Sequence, residues 1–442
     1  MTQRHRIAAN RMSVAEAVDH RIPQHLADKL AEPHAYATDE IHEVYRWLRK
    51  NEPLGVAKID GIDPFWVVTR HADILEISRQ NALFHNGDRS PTLTTQQVDQ
   101  RVRAMMGGSP HLLRTLVQMD APDHPKYRLL TQAWFLPQNI RSLDERIRQI
   151  ARTAVDKMAA TGGRCDFVKQ IALHYPLHVI MTILGVPEED EPLMLKLTQE
   201  LFGAADPELG REQAPRPEPE PGKEFDFGVI KDFMDYFHAL SERKRKNPTD
   251  DLGSLIANAQ IDGQPISDFE AMSYYIIVAA AGHDTTSSST GGAMWALAER
   301  PREVAKLRAD LSLIPGLVEE SIRWTTPVKT FMRTATEDTE FAGRAIKKFD
   351  WLMLCYASGN RDESVFDDPF EFRADRQPNK QLSFGYGAHV CLGQHLARME
   401  MRILWEEMLP RLKSVSLDGE PAMSDAVFVN GPKRLPIKFE MA

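Results

Sequence analysis

The stretch from Ser267 to about Arg300 limits the possible folds more than any other part of the sequence, because no proline interrupts it before Pro301. It opens with SDFE, a capping-box pattern in which Ser267 and Glu270 satisfy the first free N–H groups of a helix. A helix over this stretch would be roughly 50 Å long, at about 1.5 Å per residue. It would span a domain, so the rest of the fold must be built around it.

The middle of this predicted helix, AAAGHDTTSSSTGG from Ala279 to Gly292, contains three glycines and six hydroxyl residues, which are poor helix formers. Hydroxyl side chains compete for backbone carbonyls, so one interpretation is a local opening of the helix near Asp284 and Thr285. The alternative is a seam of small residues where another helix crosses closely. The residues alone leave both open.

A second constraint is the stretch SFGYGAHVCLGQHLARME, Ser383 to Glu400, which places Cys391 where a glycine-rich loop feeds a helix. A helix N-terminus is where a thiolate is most easily stabilised. The other two cysteines, Cys165 and Cys355, lie too far away for a CxxC metal site, and three cysteines are too few for a disulfide framework. The cysteine content therefore indicates a reducing compartment.

The rest of the chain reads as mainly α-helical with small β-sheets. LGVAKID and FWVVTR flank the turn-like GIDP, which predicts a β-hairpin in a β-containing part at about residues 50–85. Apolar residues three and four apart predict helices in HADILEISRQ and from about Pro137 to Gly203. The length of 442 residues does not by itself decide between one domain and two.

Composition excludes several classes of protein. The net charge of -9 has the wrong sign for a chain that coats nucleic acid. The longest nearly apolar run, YYIIVAAAG, is far shorter than the roughly 20 residues of a membrane span, and the N-terminus has no apolar signal core. The sequence therefore predicts a soluble, cytoplasmic protein with no nucleic-acid or membrane partner.

The segment from Ala204 to Asp226 is rich in proline and glutamate and too poor in apolar residues to order itself. Composition favours a linker or passive insertion over a functional lid. Two other patterns are weak alone. Glu320 and Arg323 in EESIR can pair, although such pairs are more often on the surface, and HPKYR places His124 and Arg128 one helical turn apart.

In combination these features resemble the cytochrome P450 superfamily of haem-thiolate monooxygenases. The order is a long helix with an acid–alcohol pair, then ExxR, then FGxGxHxCxG. The segments AGHDTTSSSTGGA, RWTTPVKTFMRTA and FGYGAHVCLGQHLARMEM resemble the bacterial terpineol-hydroxylase-like group. The resemblance implies one domain over residues 1–442, a triangular helical prism around a buried haem with the long helix on the distal side.

The resemblance also assigns the haem site. Cys391, in the ligand loop 383–393, would be the thiolate ligand of iron. The cofactor-binding positions that match the family are His124, Arg128, Arg333, Phe384, Gly385, His389, Cys391 and Gly393. Either histidine could instead be a solvated surface residue. Glu320, Arg323 and Arg376 would form a structural charge cluster under the loop.

On the distal side, Asp284 and Thr285 match the catalytic acid–alcohol pair, which relays the protons that O–O cleavage requires. His283 occupies the variable position of this motif and is expected to point away. Substrate contacts are expected from family regions, with ordinary core packing as the alternative, at Ile277, Ala280, Ala281, Val328, Phe331, Val427 and Phe428. The segment 204–226 would then be a mobile lid. Lys329 has no assigned partner, and solvent exposure is the favoured interpretation.

The implied function is insertion of one oxygen atom from O₂ into a small hydrophobic substrate: a monoterpenoid, an alkylbenzene or an aromatic hydrocarbon. The cofactor would be haem b. No flavin domain or iron–sulfur cysteine set is visible, so electrons would come from a ferredoxin and its reductase. Docking would use Arg398, Arg402, Arg411 and Lys413, which could equally be solvated. The alternatives are a peroxide-driven peroxygenase and a non-catalytic haem sensor.

Overall fold

The computed structural model describes residues 20–211 and 228–442. The α-helices are α1 Gln24–Lys29, α2 Pro33–Ala37, α3 Glu40–Asn51, α4 His71–Arg79, α5 Gln96–Met105, α6 Asp123–Gln132, α7 Pro137–Ile140, α8 Asp144–Ala159, α9 His174–Leu184, α10 Glu191–Phe202, α11 Val229–Lys246, α12 Leu252–Ala257, α13 Asp268–Glu299, α14 Pro301–Ala309, α15 Ile314–Thr325, α16 Tyr356–Gly359 and α17 Gln394–Met408. A π-helical stretch, Val168–Ala172, precedes α9.

The strands are short. They are β1 Leu54–Ala57, β2 Phe65–Val68, β3 Phe84–His85, β4 Arg164–Asp166, β5 Gln260–Ile261, β6 Gln264–Pro265, β7 Thr330–Ala335, β8 Thr339–Phe341, β9 Arg344–Ile346, β10 Trp351–Cys355, β11 Leu412–Leu417, β12 Ala422–Met423, β13 Pro432–Arg434 and β14 Pro436–Met441. The prediction of a mainly α-helical chain with small sheets is confirmed.

The long helix α13 runs through the interior, and its start is the predicted capping box: Ser267 and Glu270 each cap the other's backbone N–H. The helix is continuous through Asp284 and Thr285, so the predicted local opening is absent. The seam interpretation fits instead. A side chain at Gly282 would come within 2.8 Å of Ile180 on α9, and one at Gly292 would overlap the Thr325 hydroxyl of α15.

The predicted hairpin is present, with β1 and β2 paired antiparallel. It forms one edge of a five-stranded sheet of order β1-β2-β10-β7-β3. A small apolar cluster covers each face of this sheet, and a larger one surrounds α13. Consecutive residues of β7 therefore face opposite sides of the sheet.

Of the proline-rich segment 204–226, only residues 204–211 are described, so the lid prediction falls largely outside the described residues. The described start is held in place. The buried carboxylate of Asp206 pairs with Lys433 of β13 at 2.9 Å. Arg211 pairs with Glu200 on α10 and Asp232 on α11.

Among the described residues, no helix is both long enough and apolar enough to cross a membrane.

Candidate active site

The loop that carries Cys391 is folded tightly back on itself. Gly385 and Gly387 have φ of 68° and 72°, a conformation that favours glycine, and a side chain at Gly387 would overlap the Ser78 carbonyl oxygen of α4. The backbone N–H of Cys391 donates to the Phe384 carbonyl oxygen at 2.8 Å. The loop therefore presents the sulfur at a defined position, just before α17 begins.

The sulfur itself lies in a mixed environment. Burial raises the pKa of the Cys391 thiol, while backbone N–H groups of Gly393 and Gln394 and the charges of Arg128 and Arg398 pull it down. The residue nevertheless keeps a large free surface. The sulfur therefore lies deep in the protein but borders an open space, and a metal cation placed there would hold it as the thiolate.

A group of cations and imidazoles surrounds this sulfur. Arg333 is 5% exposed, and neither it nor Arg128 has a carboxylate within ion-pair distance in the described part of the chain. The rings of His124 and His389 lie 4.1 Å apart, centroid to centroid, and the buried His124 Nε2 has no hydrogen-bond partner among the described residues. Arg128, Arg333 and His124 thus have no anionic partner within ion-pair distance among the described residues, and the two propionates of haem would supply it.

The imidazoles differ in their partners. Burial, followed by the charges of His389 and Arg128, lowers the pKa of His124 to about 4, so this ring is a neutral N–H donor. His389 Nε2 lies 3.7 Å from Asp120 Oδ1. Burial raises the pKa of Asp120, but the nearby His389 ring and hydrogen bonds from the backbone N–H groups of Asn86 and Gly87 outweigh that effect and lower it. Asp120 was missed in the sequence because no local spacing links it to His389.

Below the ligand loop, the predicted charge cluster is assembled and buried. Arg323 binds Glu320 at 2.7 Å with neither side chain exposed, and Arg376 reaches the same carboxylate at 3.0 Å. Arg323 also donates to the carbonyl oxygens of Asn360 and Pro369. The pair is therefore not the surface ion pair that its spacing alone would suggest.

One face of α13 is open although the helix is internal. Ile277, Ala281, Asp284 and Thr285 are half-exposed, whereas Ala280 is buried. The Thr285 hydroxyl donates to the Ala281 carbonyl oxygen at 2.7 Å. These residues recur at helical spacing, so the central helix presents both small apolar side chains and an acid–alcohol pair to an internal space.

The carboxylate of Asp284 also borders a second space. Its Oδ2 is buried and has no hydrogen-bond partner among the described residues. Asp284, Ser287, Ser288, Ser424 and Lys433 contribute polar groups to a cavity of about 40 Å³, which apolar residues such as Phe202 and Val429 also line. A cavity of this volume has room for an ordered water molecule beside Asp284.

A family model described as cytochrome P450 matches residues 95–439. The chain belongs to the cytochrome P450 family. It is thus an oxidoreductase of the monooxygenase type, whose family uses O₂ and a redox partner and carries a haem-thiolate cofactor. The thiol, the unpaired cations and the open space beside them fit such a cofactor.

The relatives extend over nearly the whole chain. Cytochrome P450-terp of a Pseudomonas species is 49% identical over 95% of this chain and 99% of its own length. The crystal structure of CYP108D1 from Novosphingobium aromaticivorans superposes with a TM-score of 0.86 at 44% identity, covering 96% of this chain and all of that one.

More distant relatives differ in their named substrates. Linalool 8-monooxygenase of Pseudomonas putida is 31% identical over 92% of this chain and 98% of its own length. Steroid C26-monooxygenase of Mycolicibacterium smegmatis is 32% identical over 91% and 94%. Relatives at this distance therefore do not select one substrate class.

Among the expected substrate contacts of this P450, the two aromatic residues are brought together. The rings of Phe331 and Phe428 lie 5.1 Å apart, and Phe202, at the end of α10, lies 6.3 Å from Phe428. Val328 and Val427 are half-exposed, and Val427 also packs against the core beside β1. Phe202 carried no sequence signal, because only the packing of α10 brings it to this cluster.

A buried acid next to the acid–alcohol pair was also missed. Glu400 of α17 is 3% exposed and accepts a hydrogen bond from Thr286 at 3.2 Å. Burial raises the pKa of the Glu400 carboxyl well above its usual range.

Two of the sequence interpretations need correction. Lys329 does not reach solvent: it is 6% exposed, and its ammonium donates to the Thr325 carbonyl oxygen at the end of α15. Burial lowers the pKa of Lys329 to about 8. Lys329 directly precedes β7 and is buried, whereas its neighbour Val328 is half-exposed.

The basic residues expected to form a docking surface are also arranged differently from that expectation. Each of them faces a carboxylate: Arg398 pairs with Glu319, Arg402 with Asp144 and Glu406, Arg411 with Asp156 and Lys413 with Glu440. The Arg398 guanidinium also lies 4.3 Å above the Phe384 ring. These charges are neutralised locally and do not form a free positive surface.

Proposed function

We propose that this P450 inserts one oxygen atom of O₂ into a small hydrophobic substrate, using haem b and electrons from a ferredoxin. The observation that carries the proposal is the Cys391 sulfur, which borders open space near Arg128, a cation without a carboxylate partner among the described residues. When bound, the haem supplies O₂ activation and transfer of an oxygen atom to a C–H bond. The residues of the chain supply the rest.

Cys391 would hold the iron, and four side chains would hold the propionates. Arg128 and Arg333 offer guanidinium forks without carboxylate partners among the described residues, and His124 and His389 offer ring N–H groups. Asp120 keeps His389 in position. Phe384, Gly385 and Gly393 would shape the loop around the sulfur. A side chain at Gly393 would meet no atom within 4 Å, so this position borders free space.

Asp284 and Thr285 would deliver protons to the reacting oxygen. Asp284 borders the polar cavity on one side and is followed directly by Thr285 on the open face of α13. The acid can therefore take protons from water, and the Thr285 hydroxyl can orient the water that passes them on. A peroxide-driven peroxygenase would need no such relay.

The substrate would be a monoterpenoid, an alkylbenzene or an aromatic hydrocarbon. Phe331, Phe428 and Ala281 offer apolar surface, and Ile277, Val328 and Val427 are half-exposed beside them. Of the two cations nearest to Phe331 in sequence, Lys329 is turned into the core and bound to a carbonyl, and Arg333 would hold a propionate. A fatty-acid carboxylate therefore finds no evident partner here. Buried Ala280 would contribute only through the space that its small side chain leaves.

Electrons would come from a small ferredoxin that binds beside the ligand loop. Tyr386 in the loop is 43% exposed, and Leu129, next to Arg128 on α6, is 67% exposed. The Arg79 guanidinium lies 5.2 Å from the Tyr386 ring. Exposed large apolar residues suit a partner that binds transiently. Arg79 adds no free charge to them, because it pairs with Glu76 at 3.4 Å.

The proposal is tested by titrating the ferric protein with monoterpenes, alkylbenzenes, polycyclic aromatics and fatty acids while its Soret band is recorded. A fitting substrate displaces the water ligand and shifts the band. We expect saturable shifts with terpenoids or aromatic hydrocarbons, followed by hydroxylation that requires ferredoxin and O₂. Shifts with fatty acids alone would contradict the substrate class. Turnover with peroxide alone would favour the peroxygenase, and an O₂-inert, six-coordinate haem would favour the sensor.

A further inference from the structure

His283, next to the catalytic acid in sequence, is fully buried and makes directed contacts with both ring nitrogens. Its Nε2 lies 2.9 Å from the carbonyl oxygen of Leu173, ahead of α9. A carbonyl oxygen only accepts hydrogen bonds, so Nε2 carries a hydrogen. This contact fixes the ring and leaves Nδ1 as the nitrogen whose role depends on its neighbours.

Nδ1 faces two groups at once. It lies 2.9 Å from the Thr198 hydroxyl of α10 and 3.4 Å from Asp284 Oδ2. That carboxylate oxygen has no hydrogen-bond partner among the described residues. Among the described residues, the His283 imidazole is thus the one polar side chain that lies within ion-pair distance of the Asp284 carboxylate.

Thr198 links the His283 ring to α10, the helix that ends at Phe202 beside Phe428. It is buried on α10, and its hydroxyl also lies 3.1 Å from the Leu195 carbonyl oxygen. The same helix ends at Phe202, whose ring lies 6.3 Å from that of Phe428. A displacement of α10 therefore moves Thr198 and with it the partner of His283 Nδ1.

We propose that His283 is a positioning residue that couples α10 to the catalytic acid: the contact from Thr198 to His283 Nδ1 sets the orientation of the Asp284 carboxylate. Proton delivery then depends on α10 being seated over the substrate. The proposal rests on the proposed function, because it assigns a control to the Asp284 and Thr285 relay. It deepens that function by adding two residues that touch neither substrate nor haem.

Packing alone is a weaker explanation of this histidine. A residue that only fills space needs no directed partners, yet both nitrogens here meet polar atoms on two different elements. An unpaired carboxylate oxygen in a buried position is costly. The imidazole lies beside this oxygen, with Nδ1 3.4 Å from Asp284 Oδ2, and the Thr198 hydroxyl and the Leu173 carbonyl oxygen hold the ring there.

The test removes the hydroxyl and keeps the shape. Thr198→Val is compared with Thr198→Ser, which restores a hydroxyl, and with Asp284→Asn, which reports on the relay itself. For each variant, the ratio of peroxide to hydroxylated product and the solvent deuterium isotope effect on turnover are measured with the ferredoxin system. We expect T198V to raise the peroxide ratio about two- to tenfold, the range that one hydrogen bond controls, and T198S to restore it.

The outcomes separate the two proposals. Normal coupling in T198V together with uncoupling in D284N overturns the role of His283 and leaves the relay intact. Normal coupling in D284N overturns the relay, and this inference with it. Uncoupling in T198V that T198S does not restore would show a packing effect and overturns the inference.

A readout independent of turnover is ¹⁵N NMR of His283 in the diamagnetic ferrous carbon monoxide complex. We expect the Nε2 signal of a protonated nitrogen in every variant, and a shift of the Nδ1 signal in both T198V and D284N. An Nδ1 signal that responds to neither substitution overturns the inference.

Discussion

Glu320 and Arg323 form an ion pair of 2.7 Å in which neither side chain has any exposed surface. Arg376 pairs with the same Glu320 carboxylate. The Ser383 hydroxyl at the start of the ligand loop donates to the carbonyl oxygen of Ile322, which lies between Glu320 and Arg323 in sequence. The charge cluster therefore ties α15 to the segment that leads into the haem loop. It stabilises the platform on which Cys391 is presented.

We expect Glu320→Gln to destabilise the fold by roughly 3–5 kcal/mol, because two buried guanidinium groups lose their counter-charge. Chemical denaturation and haem retention measure the effect. The control is Glu440→Gln, since the Lys413–Glu440 pair has side chains that are 43% and 65% exposed and is worth at most about 1 kcal/mol. Equal effects of the two substitutions would contradict the role of the cluster.

Lys329→Met should raise the free energy of unfolding by about 2 kcal/mol at about pH 7. Burial lowers the lysine pKa from 10.5 to about 8, a cost of about 3 kcal/mol, and the lost hydrogen bond to Thr325 offsets about 1 kcal/mol of the gain. Below the folded pKa, the wild type bears the full cost of burying the charge. Between about pH 8 and 10.5 the folded lysine is neutral while the unfolded one still binds a proton, so the advantage of the variant shrinks as pH rises. Denaturation at both ends of this range measures it. A variant that is less stable than the wild type at both pH values would show that the hydrogen bond to Thr325 contributes more than burial of the charge costs.

Thr285→Ala should keep haem binding and substrate affinity but divert electrons to peroxide. The substitution removes the hydroxyl that follows Asp284 and that donates to Ala281 in the resting structure. Peroxide and product are quantified per electron consumed. Ser289→Ala is the control, because its hydroxyl on α13 is likewise bonded to a carbonyl one turn earlier but is buried away from the open face. Fully coupled turnover in T285A would rule out the relay.

Leu129→Glu and Tyr386→Glu should each slow reduction by the ferredoxin about tenfold or more while substrate affinity is unchanged, because each places a charge on the apolar surface beside the ligand loop. Stopped-flow reduction and the substrate-induced spectral shift measure the two effects. Leu255→Glu is the control, since Leu255 is 42% exposed on α12. A loss of substrate affinity without slower reduction would place the partner elsewhere.

Local sequence patterns predicted those parts of the fold whose physical cause is itself local. The capping box placed the start of the long helix, and the alternating segments around GIDP predicted the β1–β2 hairpin. The glycine positions of the cysteine loop follow from backbone conformations that other residues rarely adopt. The roles of Cys391, Asp284 and Thr285 rest on motif spacing and await the tests above.

Contacts between distant segments were the part that the sequence left open. It showed that Lys329 and Arg398 were charged, but not that one is buried and the other is paired with Glu319.

The sequence by itself determined the family, the long central helix and the identity of the thiol-bearing loop, because each depends on residues a few positions apart. Only the tertiary structure decided what each charge faces. Thr198 and His283 are 85 positions apart, and the Thr198 hydroxyl meets His283 Nδ1 only because α10 packs on α13. Spacing along a chain governs which residues share a helix face, whereas packing between elements governs the partners of buried polar groups.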